Sequence, residues 1–163
     1  MMSALAKTEA NTNKKTNKPK SRRRFAREFL LQGIYQWKVA GGTADFIEKQ
    51  IRESDGFKHA DAKHFSQVLH GVLEHVEELE KHIQPSLDRP LNELSPVEMA
   101  ILLLSTYELA YHAEIPYRAI INEAIELARS YGGSDGYKYV NGVLDKIAAQ
   151  IRSAEIEAQK PGN

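Results

Sequence analysis

Histidine is the residue type whose clustering in this chain first suggests chemistry. Five of the six histidines fall between residues 59 and 82, at His59, His64, His70, His75 and His82. Two ligands on one helix must lie three or four residues apart to share a metal ion, and none of these pairs has that spacing. The sequence therefore predicts no metal site and places these histidines at the solvated surface.

Two carboxylates, Glu123 and Glu126, lie one helical turn apart. An acid and base pair would also need a nucleophile, a metal or an apolar cleft, and no such group is evident beside them. The chain has no cysteine, and its glycines do not have the spacing of a phosphate-binding loop. We interpret the two glutamates as surface or interhelix contacts and expect neither an enzyme nor a cofactor.

Three consecutive arginines, Arg22, Arg23 and Arg24, follow Ser21 at the predicted start of a helix. The helix dipole repels cations at that end, and pairing of Glu28 with Arg24 would offset only about 0.2–0.5 kcal/mol. Phosphate groups are a natural partner, because guanidinium binds them in a bidentate way and each contact releases counterions. The pattern favours nucleic acid, and a solubilising basic segment is the alternative.

Charge is unevenly distributed along the chain, although its net charge is zero. Residues 1–27 contain nine lysines and arginines against one glutamate, a net charge of +8 that the remainder balances with −8. Residues 1–20 also hold almost no large apolar side chains and are predicted to form a disordered basic arm.

A second candidate surface is the glycine-rich segment 131–139. Tyr131 and Tyr139 offer flat rings for stacking on unpaired bases, as does Tyr35 on the first helix, and Lys138 adds charge. Asp135 could accept a hydrogen bond from a base edge or complement a helix dipole. An ordinary turn between two helices is the other interpretation of this segment.

The apolar periodicity predicts an all-α fold, because no period-two alternation appears after residue 20. The predicted domain covers residues 21–152, and residues 153–163 are predicted to be a flexible polar tail. No run is long and apolar enough to span a membrane, and no secretory signal is evident, so we expect a cytoplasmic protein. The predicted helices cover about residues 22–39, 43–53, 60–83, 96–113, 117–131 and 135–152; Ser95, with Pro96 and Glu98, gives the clearest start, and Phe46, Ile47 and Ile51 form the apolar set of the second.

Two sequence runs carry a resemblance to a known family. The run YRAIINEAIELA at 117–128 and the run KYVNGVLD at 138–145 resemble the C-terminal signature of the NusB family. The arginine-rich start at 22–28, with Tyr35 and Trp37 beyond it, and the sequence YEL at 107–109 agree with this resemblance, which extends over about residues 21–152.

The resemblance implies a compact bundle of about seven helices in two small lobes. It implies an adaptor that binds the boxA element of ribosomal RNA transcripts together with NusE, a small-subunit ribosomal protein, and acts on the RNA polymerase antitermination complex. A helical protein-interaction module with a merely solubilising arm is the alternative function. The sequence leaves open whether the free protein is a homodimer.

Site residues are also implied by the resemblance. Glu98 corresponds to a contact with the ribosomal-protein partner. Ser86 and Asn92 depart from side chains that some relatives carry around Pro85. The implied RNA contacts are Arg22, Arg23, Arg24, Arg27 and Tyr35 on the first helix, and Tyr131, Asp135, Lys138 and Tyr139 in the second patch.

Overall fold

The computed structural model describes residues 20–133 and 135–161, in which every regular element is a helix. This confirms the predicted all-α class. The predicted arm, residues 1–19, lies outside the described residues. The α-helices are α1 Arg22–Ala40, α2 Ala44–Arg52, α3 Ala62–Glu74, α4 Val76–Ile83, α5 Pro96–Tyr111, α6 Tyr117–Tyr131, α7 Gly136–Ile151 and α8 Ser153–Gln159. Short 3₁₀ turns lie at Phe57–His59, Gln84–Ser86 and Leu91–Glu93.

Helix α5 is the central element of the bundle. Its residues 99–106 are all buried, as is required when a helix is apolar on every side. It packs against α1, α3 and α4 and also against α6 and α7. Helices α1, α2 and α3 form one packed group, α6 and α7 form another, and α5 belongs to both, so the two lobes share one core.

The starts of α1 and α5 are fixed by side-chain caps. Ser95 and Glu98 form the predicted capping box, in which each side chain accepts a hydrogen bond from the other residue's backbone N–H at 3.1 Å. At α1, Ser21 Oγ accepts from the N–H of Arg24 at 3.0 Å. These caps satisfy N–H groups that have no partner within their helices.

The single helix predicted over 60–83 is wrong, because the chain breaks at His75 into α3 and α4. His75 has φ −118° and ψ 22°, and its N–H donates to the carbonyls of Gly71 and Val72. Its ring Nδ1 also donates to the Gly71 carbonyl, at 2.8 Å. Apolar spacing continues across the break, so periodicity gave no sign of it.

Two further details differ from the sequence prediction. Phe46 was expected to face inward but is 58% exposed, because Ile47 and Ile51, one turn apart, already provide the buried stripe of α2. The predicted tail begins with a helix, α8, from which Ile156 packs against the core. Its first turn includes Glu155, which accepts a hydrogen bond from the Tyr117 N–H at 3.0 Å.

Arg152, between α7 and α8, joins the second lobe to the end of α5. Its buried guanidinium donates to the carbonyls of Leu109 at 2.7 Å, His112 at 2.9 Å and Ile115 at 3.0 Å. A helix C-terminus leaves such carbonyls without intrahelical partners. The contacts therefore fix the far end of α7 against α5 and help to set where α7 begins.

Arg152→Met is expected to lower the free energy of unfolding by about 3 kcal/mol, because several buried carbonyls would lose their donor. Denaturant unfolding followed by circular dichroism measures this change. The matched control is Arg118→Met, since Arg118 is half exposed and lies 3.6 Å from Asp145; it should change stability by less than about 0.5 kcal/mol. Equal effects of the two substitutions would contradict the role given to Arg152.

Candidate nucleic-acid interface

The first two arginines of α1 point toward the chain that leads into α3. Arg22 Nη2 donates to the Ala60 carbonyl at 3.2 Å. Arg23 Nε lies 3.5 Å from Asp61 Oδ2, and the Arg23 side chain is 41% exposed. Asp61 also accepts from the N–H of His64, and this hydrogen bond is the main reason why its pKa lies below the ordinary value. Both arginines thus remain at the surface.

Arg24 forms a bidentate ion pair with Glu123 of α6. Its Nε lies 3.0 Å from Glu123 Oε2, and its Nη2 lies 3.0 Å from Oε1. The hydrogen bonding to Glu123 raises the pKa of Arg24. The pairing with Glu28 expected from the sequence is replaced, because Glu28 instead accepts from Lys20 Nζ at 2.8 Å.

Arg27 is buried, unlike the three arginines before it. Its Nε lies 3.0 Å from Glu108 Oε1, and its Nη2 lies 3.0 Å from Oε2. His64 Nε2 donates to the same carboxylate at 2.7 Å, and His64 is itself buried. Arg27 is therefore part of the core and is not placed to contact RNA, and the expectation that His64 is solvated is wrong.

The pKa of Glu108 lies below its ordinary value despite deep burial. Burial alone would raise this pKa, but the hydrogen bond from His64 and the charge and hydrogen bonds of Arg27 outweigh it. The carboxylate is thus ionised within the core, where its lost hydration is replaced by partners from α1 and α3.

The predicted second patch lies at the end of α6 and the start of α7. Tyr131 is half-buried, and burial raises its pKa, to which the negative charge of Glu28 adds. Asp135 is exposed at the N-cap of α7 and makes no capping bond with its side chain. Lys138 Nζ lies 3.8 Å from Asp135 Oδ1, and both side chains are largely exposed. Ser134, the expected cap, lies outside the described residues.

Helix α6 connects the two patches. Arg24 contacts Glu123 near the middle of α6, and Glu28 acts electrostatically on Tyr131 at its end. The eight residues from Glu123 to Tyr131 correspond to about 12 Å at 1.5 Å per residue. The arginines and the tyrosine-rich segment therefore lie along one continuous surface.

Two arginines that sequence reasoning missed lie over tyrosines of the second patch. The Arg89 guanidinium is 4.2 Å from the centre of the Tyr139 ring, and that of Arg129 is 4.6 Å from the Tyr137 ring. Fifty residues separate Arg89 from Tyr139, so no local spacing indicates the contact. Guanidinium stacked on an aromatic ring presents both charge and a flat face to a nucleobase.

The remaining predicted residues lie at two different places. Tyr35 is half-buried on α1, three turns beyond Arg24, and packs against the core. Glu98 takes part in the capping box of α5, and its carboxylate lies beside Gly136, at the start of α7. Glu98 is therefore close to the second patch and not to the arginines.

Within residues 20–133 and 135–161, no group of three histidine, aspartate or glutamate side chains is arranged to hold a metal ion. Over the same residues, no helix is both long and apolar enough to cross a bilayer.

Comparison with known proteins gives consistent results. Residues 24–149 match the NusB family. The transcription antitermination protein NusB of Nitrosospira multiformis is 64% identical over 133 residues, covering 82% of this chain and 84% of its own. That of Paraburkholderia xenovorans is 52% identical, covering 86% and 98%.

Solved structures share the fold. T. maritima NusB is 29% identical with a TM-score of 0.72, covering 87% of this chain and 99% of its own. A crystal structure of the antitermination factors NusB and NusE in complex with double-stranded RNA contains a chain 25% identical to this one, with a TM-score of 0.73, covering 79% and 97%.

The helical fold and these relatives define the class: the protein is a transcription antitermination factor and not an enzyme. The chain belongs to the NusB family.

Glu108→Gln is expected to lower the free energy of unfolding by about 3–5 kcal/mol at neutral pH, because Arg27 would keep its charge in the core without its partner. The pH dependence has a definite sign. Since the folded pKa is depressed, the stabilisation is fully present above the unfolded pKa of about 4.3 and is lost as pH falls through the lower folded value.

Urea unfolding between pH 2.5 and 7 tests both parts. The gap between the parent protein and Glu108→Gln should narrow below about pH 4.3. Glu126→Gln is the control, since Glu126 is half exposed; it should leave both the stability and the shape of the pH profile nearly unchanged. A constant gap across the pH range would contradict an ionised Glu108.

Proposed function

We propose that this protein binds the boxA element of ribosomal RNA transcripts together with a NusE protein, and so promotes processive transcription by RNA polymerase. The observation that carries the proposal is the exposed arginine turn, Arg22 to Arg24, which lies on one surface with the tyrosines of the second patch. Transcription would place the protein in the cytoplasm.

The arginines would supply attraction to phosphates. Phosphate contacts fix position and give salt dependence without reading sequence. Arg22 and Arg23 suit this role because their partners are a carbonyl oxygen and a carboxylate 3.5 Å away. Arg27 is left out of the proposed contact set because it is buried against Glu108.

The second patch would supply discrimination between RNA sequences. Single-stranded bases are read by stacking on aromatic or guanidinium planes and by hydrogen bonds to their edges. Tyr139 with Arg89 offers such a plane, and the exposed carboxylate of Asp135 is a free acceptor for base amino groups. Lys138 and Tyr131 complete this set, with Tyr35 as a more distant member.

The partner surface is proposed near Glu98. The relative solved with NusE and RNA makes a ribosomal-protein partner the natural candidate. Because Glu98 lies beside Gly136, a partner there would contact the start of α7 and adjoin the second patch. A joint protein and RNA surface would then form at one end of α5.

The alternative function is a helical protein-interaction module whose basic residues only increase solubility. Fluorescence anisotropy with a labelled boxA RNA and a scrambled RNA of equal length, each with and without purified NusE, separates the two. We expect tighter binding to boxA than to the scrambled RNA, and a larger ratio with NusE present. Equal affinity for both RNAs in the presence of NusE would contradict the proposal.

Replacing Arg22, Arg23 and Arg24 together by alanine should weaken RNA binding and reduce the slope of log K against log salt concentration by about 2, that is, about 0.7 for each lost phosphate contact on a single strand. A salt series by anisotropy measures this slope.

The control removes the same charge elsewhere, at the exposed residues Lys38, Lys49 and Lys146, and should leave the slope within about 0.7 of the parent value. Thermal melting of both variants should stay close to that of the parent protein. Equal slopes for the two triple variants would show that net charge, and not the arginine turn, attracts the RNA.

A further inference from the structure

Every arginine at the start of α1 already has an acceptor within the protein. Arg22 donates to a backbone carbonyl, Arg23 lies near Asp61, and Arg24 is bound by Glu123. Only Arg24 is engaged in the geometry that a phosphate would use, with Nε and Nη2 each 3.0 Å from a separate carboxylate oxygen. A carboxylate in this arrangement presents two oxygens to guanidinium as a phosphate does.

We propose that Glu123 determines RNA specificity by occupying the guanidinium of Arg24 in the free protein, so that an RNA phosphate must displace it. The inference rests on the proposed function and adds a residue that opposes binding. An RNA making only phosphate contacts gains less from Arg24, because the ion pair must first be broken. An RNA that also fits the second patch offsets this loss.

The surroundings of Glu123 strengthen the effect. Glu28 and Glu126 both act electrostatically on Arg24, so a phosphate brought to Arg24 would approach three carboxylates. After displacement Glu123 remains attached to α6, one or two turns from the second patch, and continues to repel any phosphate bound there. Selectivity is commonly obtained in this way, by a feature that disfavours the wrong ligand.

The size of the effect follows from the exposure of the pair. Arg24 is 38% exposed and Glu123 is 22% exposed, and partly exposed ion pairs change an equilibrium by about one- to fivefold. Glu123→Gln should therefore bind unrelated RNA about two- to fivefold more tightly. Its gain for boxA should be smaller, because there the other contacts already offset the displacement.

The experiment compares the full chain and its Glu123→Gln variant by anisotropy, using a boxA RNA and an unrelated single strand of equal length over a salt series. Glu126→Gln is the matched control, because it removes the same charge one turn away without touching the bidentate pair. We expect the affinity ratio of boxA to unrelated RNA to fall only for Glu123→Gln. Its salt slope on unrelated RNA should become steeper by about 0.7, one additional phosphate.

A double-mutant cycle tests whether Arg24 is the residue through which Glu123 acts. Arg24→Lys keeps the charge but cannot form the bidentate pair. In that background, Glu123→Gln should have little further effect on RNA affinity. Should Glu123→Gln melt well below the parent protein, Glu123→Asp replaces it, because the shorter side chain keeps the charge but reaches Arg24 less well.

The outcomes are distinct. If Glu123→Gln and Glu126→Gln behave alike, or if Glu123→Gln binds RNA more weakly, the inference is overturned, and in the second case Glu123 instead positions Arg24 for RNA. If the parent protein binds no RNA even with NusE, both the inference and the proposed function fail. If the parent distinguishes boxA but Glu123→Gln keeps the same ratio, only the inference fails.

Discussion

An ionised carboxylate inside an apolar core needs charged or hydrogen-bonding partners, because it has lost its hydration. Glu108 is such a group, on the central helix α5. Its partners, Arg27 and His64, come from α1 and α3. Because Arg27 must point toward α5, the rotation of α1 about its axis is set. Arg24, one turn earlier, then lies against α6, and Arg23 lies against Asp61. The arrangement of the candidate interface thus follows from a contact within the core.

The local signals in the sequence predicted much of the fold. The Ser95 capping box, the glycines after α1 and the apolar spacing of α6 and α7 each depend on interactions within a few residues, so they can be read from the chain directly. The break at His75 could not, since it depends on a ring bonding its own turn while apolar spacing continues. Phe46 illustrates the same limit, because which of two adjacent apolar residues is buried depends on the neighbouring helix.

The candidate site was predictable in kind but not in membership. Arg27 and the three arginines before it form one run in the sequence, and charge patterning gives no means to tell a buried ion pair from a surface cation. The acceptor of Arg27 lies 81 residues away. The same holds for Arg89, whose position over Tyr139 depends on how the turn after α4 packs on α7. Long-range pairs of this kind are properties of the tertiary structure alone.

The charge at the start of α1 is balanced by two kinds of acceptor, and the difference has consequences. Glu108 is enclosed, so its bond to Arg27 is exchanged for nothing in solution and serves the fold. Glu123 is partly exposed, so its bond to Arg24 can be exchanged for another anion without unfolding the protein. Two arginines only one turn apart on one helix therefore divide between stability and recognition according to the burial of their carboxylates. A change that exposed Glu108 would place Arg27 in the second group, at the expense of the packing that orients the first.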